Sequence, residues 1–218
     1  MFGPAHLTRT RRFRSPFTVH RSPINKSEIR KQVLAQRDAL DAGARAQLVP
    51  RITERLLQLD AWRDAQCVLA YVSFGSEFDT AAFIAGLIGG GKTLVLPKVD
   101  RENRVLKLYG VRDLERELAP GTWSIREPRA DLCREVAPDD IEMVLVPGVA
   151  FTPRCERLGY GGGYYDGLIN AFNQRPALVA AAFSLQIVPE LPVTERDQKV
   201  DLVVTENAVY PRTVNGEP

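Results

Sequence analysis

The chain has 218 residues and a mass of 24.3 kDa, enough for one sizeable core. Its 44% hydrophobic and 26% charged content is that of a globular protein, its longest apolar runs are too short to cross a bilayer, and Cys67, Cys133 and Cys155 show no CxxC spacing, so a membrane span, a disulfide framework and a cysteine zinc site are excluded and a reducing compartment is expected. Net charge is +2, yet five arginines fall within residues 1–25, leaving 24 basic against 27 acidic side chains beyond them and no general nucleic-acid signature in the body.

That first stretch reads as a separate object. Arg9, Arg11, Arg12, Arg14 and Arg21 stand there without a lysine or an acid, and both histidines, His6 and His20, lie there too. A histidine-based catalytic triad in the body is therefore not available. Three readings stay open for the stretch: an unstructured extension, an organelle transit peptide, or a basic arm for nucleic acid. Pro4, Pro16 and Pro23 weigh against a long amphipathic helix.

"NKSEIRKQVLAQRDAL" predicts a helix, with Asn25 as its cap and Glu28 three residues on, as in a capping box. Ile29, Val33 and Leu40 share one face, and Lys26 and Arg30 stand one turn apart. Leu48, Ile52, Leu56 and Leu59 predict a second helix over 44–59. "CVLAYVSF" predicts a buried strand, "GSEFD" a loop, "TAAFIAGLI" a short helix and "KTLVLPKV" the next strand. "RVLKLYG" reads as an edge strand, and 113–132 is turn-rich and unassigned. "IEMVLVPGVAF" predicts a central strand, "YYDGLINAFN" a helix, and "ALVAAAFS" and "VDLVVTE" two further strands. Strands alternating with helices predict an α/β layered fold with a mostly parallel sheet flanked by helices. The expected division is an extension over 1–25, one domain over 26–210 and a tail over 211–218.

Two glycine-rich stretches invite a phosphate reading. Gly86 to Thr93 fits G-x-x-x-x-G-K-T, but a helix precedes it and a strand follows, so no helix N-terminus faces the glycines. It reads as a helix end and a turn. "RLGYGGGYYD", Arg157 to Asp166, has the opposite order of strand, loop and helix. Its glycines allow backbone N–H groups to approach an anion, Arg157 offers a charged fork, and Asp166 in the first helical turn suits a Mg²⁺ beside phosphate. A packing turn with a tyrosine pair over the core is the plain alternative.

"LVPGVAFTPRCERLGYGGGYYD" closely resembles the signature of the 5-formyltetrahydrofolate cyclo-ligase family. "KSEIRKQVLAQRDAL", "YVSFGSEFDT", "GKTLVLPKV", "PGTWSIREP" and "LPVTERDQKVDLVVTE" resemble further family segments in the family's order, covering about residues 26–206. The resemblance implies a NagB/RpiA/CoA-transferase-like fold. It implies a ligase in which ATP activates the formyl oxygen of 5-formyltetrahydrofolate and N10 closes the ring, giving 5,10-methenyltetrahydrofolate, ADP and phosphate. No covalent nucleophile is implied; Arg157 and Tyr164 would position the reactants.

Residue by residue, the resemblance assigns ATP contacts to Lys26, Ser27, Glu28, Ile29 and Arg30 on the first helix. It assigns them also to Arg157, Leu158, Gly159, Tyr160, Gly161, Gly162, Gly163, Tyr164 and Tyr165 in the loop. Folate would meet Arg30, Val72, Glu77, Tyr160, Gly161, Gly162, Gly163 and Tyr164, with the Glu77 carboxylate accepting from the pterin edge. Asp166 and Asp197 would hold Mg²⁺. Without the resemblance, Lys26 and Arg30 read as a solvated helix face, Glu77 as a capping or surface acid and Asp197 as a loop acid. The chain departs from the family at Cys155, where glycine is usual, at Arg196, where His or Asn is common, and at Gly167, where arginine is frequent; Cys155 bears on ATP affinity. The expected partners are 5-formyltetrahydrofolate and ATP alone, with no nucleic acid and no membrane, in a cytoplasmic monomer, or in an organelle matrix if the first stretch is a transit peptide. The competing reading is a catalytically silent folate- or nucleotide-binding relative whose basic tail serves RNA. A third is an ATP-dependent ligase for another reduced folate or pterin.

Overall fold

A computed structural model describes residues 25–212; the expectations for the basic N-terminal stretch and for most of the C-terminal tail lie outside these residues. Helices α1 (Lys26–Asp38), α2 (Ala42–Leu57) and the short α3 (Asp60–Asp64) lead into strand β1 (Cys67–Leu69). Then come α4 (Ala81–Gly89), β2 (Thr93–Asp100), β3 (Val105–Val111), β4 (Leu118–Pro120), β5 (Arg126–Pro128) and β6 (Arg134–Glu135). The chain continues through β7 (Met143–Leu145), β8 (Ala150–Phe151), β9 (Arg157–Leu158), α5 (Tyr164–Ala171), β10 (Ala177–Ala181), β11 (Leu202–Val204) and β12 (Val209–Pro211).

Eight strands form the main sheet in the order β12-β11-β10-β7-β1-β2-β3-β6. The five from β11 to β2 run parallel, and antiparallel pairs finish both edges. The strands read as continuous apolar runs because both faces are covered. Val68, Leu94, Met143, Val179 and Val204 pack with Ile52, Leu56, Phe83 and Leu87 of α2 and α4. Their neighbours Leu69, Val95, Val144, Leu178 and Val203 pack on the other face with Leu168 and Ile169 of α5. The period-two alternation thus feeds two cores and gives three layers.

Several elements differ from their expectation. Asn25 caps α1 by accepting from the Ser27 N–H at 2.8 Å, but the Glu28 carboxylate turns to Gln32 Nε2 at 3.0 Å, so the reciprocal half of the capping box is absent. The first strand ends at Leu69, and Tyr71 to Phe74 leave the sheet as irregular backbone. The expected strand over 141–151 is cut after Leu145. Pro147 has no N–H to give a ladder, and a side chain on Gly148 would sit 2.5 Å from the Phe151 ring, so the chain turns there into a separate β8–β9 hairpin. β3 is not the outermost strand, since β6 pairs with it. The unassigned stretch holds a β4–β5 hairpin closed by a 3₁₀ turn, Thr122–Ser124.

The sheet order places a switch point beside β1. From β1 the chain moves outward through α4 to β2 on one side, while β7, β10 and β11 build outward on the other. In open α/β sheets the crevice at such a reversal, outside the strand carboxyl ends, takes the ligand. The segments leaving β1 and β7, Tyr71 to Glu77 and Pro147 to Asp166, both open there.

Candidate active site

One cavity of about 640 Å³ lies at this crevice. Its walls come from α1 (Lys26, Arg30), the segment after β1 (Tyr71, Val72, Phe74, Glu77), the strand β2, the β4–β5 hairpin, the glycine loop with the start of α5, and Asp197.

The glycine loop folds around three constraints. Gly161 and Gly163 hold φ of +104° and +73°, a region costly to other residues. A side chain on Gly162 would meet the Tyr164 ring at 2.8 Å. Gly163 then caps α5, and the first intrahelical bond runs from Gly167 N–H to the Gly163 carbonyl at 2.9 Å. The N–H groups of Tyr164, Tyr165 and Asp166 have no carbonyl within the helix, which leaves donors at a helix N-terminus for an anion.

Cations gather at that end. The buried Arg157 donates to Asp166 Oδ1 at 2.7 Å and to the Pro147 carbonyl at 3.2 Å, which is what the break after β7 provides. Its Nε is buried without a hydrogen-bond partner. Arg30 Nε donates to the Gly159 carbonyl at 2.7 Å, with its guanidinium beside Gly161. Lys26 Nζ donates to both Asp197 oxygens, at 2.7 and 2.6 Å. Burial alone would raise the Asp197 carboxyl, but hydrogen bonds from Lys26 and from the Thr194 N–H and hydroxyl outweigh it and hold the group below its usual range. Asp166 Oδ1 also accepts from the Gln198 N–H at 3.0 Å, and its Oδ2 carries no hydrogen bond among the described residues. The two acids line one cavity, each opposite a cation. No group of three or more His, Cys, Asp or Glu side chains gathers in metal-holding geometry among the described residues.

The other end is built around Glu77, only 5% exposed. Its Oε1 accepts from the Tyr160 hydroxyl at 2.6 Å and its Oε2 from the Phe74 N–H at 3.1 Å. Burial pushes the Glu77 carboxyl up, against the pull of these two bonds and of the Arg37 charge. Tyr160 packs against Phe74 with ring centroids 5.3 Å apart. Tyr165 has a buried hydroxyl with no hydrogen-bond partner.

The structure brings most of the expected residues to this cavity: Lys26, Arg30, Val72, Glu77, Arg157 through Asp166, and Asp197 all line it. Ser27, Glu28 and Ile29 do not; the first two are exposed, and Ile29 is buried with Val33, Val149 and Leu158 under the hairpin. Cys155 is also off the cavity. Its φ of +62° is a glycine-like value, and its buried Sγ donates to the Tyr210 carbonyl at 3.2 Å on the far side of the loop. Burial pushes its thiol up to about 11.

The β4–β5 hairpin supplies a wall that residue-type reasoning did not assign. Trp123 and Ser124 both hold positive φ, and Trp123, 62% exposed, stands edge-on to Tyr164 at 6.2 Å. Glu127 is buried beside the cavity, 3.8 Å from Lys98 Nζ. The signal was the "PGTWSIREP" match, which carried no role of its own. At Gly86 to Thr93, the phosphate pattern is a helix end: Gly90 caps α4, Gly91 has φ +72°, and Lys92 Nζ donates to the Arg63 and Ala65 carbonyls.

Comparison with known proteins points to one family from several sides. The sequence model of the "5-formyltetrahydrofolate cyclo-ligase family" matches residues 23–206. The probable 5-formyltetrahydrofolate cyclo-ligase of Schizosaccharomyces pombe is 32% identical over 173 residues, covering 72% of this chain and 83% of the relative. The mitochondrial 5-formyltetrahydrofolate cyclo-ligase of Arabidopsis thaliana is 28% identical over 214 residues, covering 86% and 76%. The NMR structure of Aquifex aeolicus 5,10-methenyltetrahydrofolate synthetase superposes with a TM-score of 0.77 at 32% identity, over 88% of this chain and 95% of that one.

Proposed function

This chain belongs to the 5-formyltetrahydrofolate cyclo-ligase family, and from that premise we propose how its cavity does the family's work. The enzyme converts 5-formyltetrahydrofolate to 5,10-methenyltetrahydrofolate, with ATP as co-substrate. The observation that carries the assignment of the two ends is their opposite character within one cavity. Lys26, Arg30, Arg157 and the open N–H groups of α5 form a phosphate end; the buried Glu77 with Tyr160 and Val72 forms a pterin end.

The chemistry asks for positioning more than for protein nucleophiles. The formyl oxygen attacks the γ-phosphorus, the bond to the β-phosphate oxygen breaks, and ADP leaves. N10 then attacks the formyl carbon, that carbon's bond to the phosphorylated oxygen breaks, phosphate departs, and N10 loses its proton. Arg157 and Arg30 offset the charge that builds on the transferred phosphoryl group. Tyr164, at the start of α5, flanks the place where the two substrates meet. The absence of a histidine among residues 26–218 is no obstacle to such a reaction.

Mg²⁺ fits the residues present. It is held by one or two carboxylates together with substrate phosphates, and Asp166 and Asp197 offer oxygen donors only. Asp166 has its Oδ2 uncommitted among the described residues, while both Asp197 oxygens are engaged with Lys26 and Thr194, so the fit rests first on Asp166. When bound there, Mg²⁺ neutralises phosphate charge.

We place the enzyme in the cytoplasm as a monomer, with an organelle matrix as the alternative for which the mitochondrial Arabidopsis relative is the precedent. No described helix is long and apolar enough to cross a membrane.

The test is direct. Purified protein with Mg-ATP and 5-formyltetrahydrofolate generates the methenyl absorbance, and omission of ATP abolishes it. No ATP-dependent product across pH and metal conditions overturns the reading.

A further inference from the structure

Behind Glu77 lies a polar chain rooted in residues outside the cavity wall. Arg37, on α1, is 3% exposed and lines no part of the cavity. No carboxylate comes within 4 Å of its guanidinium among the described residues, an expensive state for a buried cation. It donates instead to two hydroxyls: Nε to Ser76 Oγ at 2.9 Å and Nη2 to the Tyr160 oxygen at 3.0 Å. Ser76 in turn donates its hydroxyl to Asp38, and Tyr160 donates its hydroxyl to Glu77. A tyrosine oxygen that accepts from a fixed guanidinium has one direction left for its O–H, and here that direction is Glu77 Oε1.

We propose that Arg37 is a positioning residue for the folate, aiming the Glu77 carboxylate by way of the Tyr160 hydroxyl. This rests on the reading that Glu77 meets the pterin edge. The geometry explains why a cation is kept where it costs stability. Glu77 carries Tyr160 on one oxygen and a backbone N–H on the other, so its remaining lone pairs face the cavity in a set orientation. Without Arg37 the Tyr160 hydroxyl is held by Glu77 alone, and the carboxylate loses one constraint on its aim together with the nearest positive charge. Arg37 lies eleven residues, three helical turns, beyond Lys26, so α1 carries Lys26, Arg30 and Arg37 along one stripe from the phosphate end to the pterin end.

The groups facing Glu77 are Arg37 from α1, Tyr160 from the loop, Tyr165 from α5 and Tyr71 from the segment after β1. Arg37 supplies the one positive charge in that set and favours the ionised carboxylate. Its removal moves the protonation of Glu77 to higher pH, and the acid limb of kcat/KM for folate moves the same way.

The experiment compares wild type, Arg37→Met, Tyr160→Phe and the double variant in the methenyl assay, with thermal unfolding alongside. Arg37→Met raises the folate KM about tenfold and shifts the acid limb upward, while the ATP KM stays within about twofold. In the Tyr160→Phe background the relay is already cut, and adding Arg37→Met changes folate KM by less than about twofold. Arg37→Lys keeps a charge but cannot reach both hydroxyls, so it restores the acid limb without restoring KM; it also carries the test should Arg37→Met fail to fold. A lowered unfolding temperature with unchanged folate KM and pH profile, or fully additive effects in the double variant, overturns the proposal. A wild type that makes no methenyl product is a different result and strikes at the functional reading instead.

Discussion

Glu77 is a carboxylate kept where carboxylates are uncomfortable, and the discomfort is measurable. Burial raises its protonation above the ordinary range. The neutral form can no longer accept two N–H bonds, so folate KM rises as pH falls through this raised value, at a pH where an exposed glutamate is still ionised. Glu77→Gln removes that dependence and weakens folate binding about tenfold at neutral pH; a Gln variant with the wild-type pH profile assigns the titration to another group. For folding the sign is opposite: the native state holds the extra proton, so this group's contribution to stability declines as pH rises from the ordinary glutamate value through the raised one. Asp166→Asn keeps the volume of the side chain and removes its charge. We expect kcat to fall about 100-fold with a changed magnesium dependence; unchanged kinetics across magnesium concentrations remove Asp166 from the metal site. Cys155 is the counterexample among the family departures. Its Sγ faces β12, so Cys155→Gly leaves the ATP KM unchanged, and relief of a left-handed residue, worth about 1 kcal/mol, is offset by the loss of a buried sulfur, leaving stability nearly neutral in thermal unfolding.

At the scale of elements, the parts legible in the sequence are those whose pattern has one physical cause. β1, β2, β7, β10 and β11 are apolar on both faces because helices cover both, and α2 and α4 show helical spacing because one face of each meets the sheet. The glycine loop was legible because strand-before and helix-after gives its N–H groups a direction. The hidden parts depend on partners distant in sequence. The break after β7 is set by Phe151 filling the space above Gly148 and by Arg157 claiming the Pro147 carbonyl. The Glu127 wall exists because β5 folds against β2, which no local period reports. Arg37 carries no local signal in the sequence; only the approach of Ser76 and Tyr160 makes it a buried hub. The second glycine pattern shows the converse, a good local match with the wrong neighbours. Lys92 caps the chain after α3 and sits 5.4 Å from the Trp62 ring. Lys92→Ala therefore lowers stability by about 1 kcal/mol in denaturant unfolding and leaves ATP KM intact. A large loss of nucleotide affinity in that variant places phosphate there after all.

At the scale of the whole molecule, the site is a consequence of sheet order. Because the order in which strands are added reverses beside β1, the segments after β1 and β7 open into one crevice, which Lys26 and Arg30 of α1 also line. All residues given a role fall between Lys26 and Asp197, and the family match spans 23–206. The five arginines of the first stretch lie outside that span, and none of the residues given a role is among them. A chain beginning at Pro23 is therefore expected to keep kcat/KM within about twofold of the full chain and to unfold at the same temperature. A large loss of turnover on truncation makes the stretch part of the site. The same pair of proteins decides the competing reading, because an arginine-rich arm that binds RNA does so by releasing counterions. Its affinity falls steeply with salt, and truncation removes it. Equal, weak and salt-insensitive RNA binding by the two chains eliminates the RNA arm. Salt-sensitive binding confined to the full chain, with turnover unchanged, adds a second activity to the cyclo-ligase without displacing it.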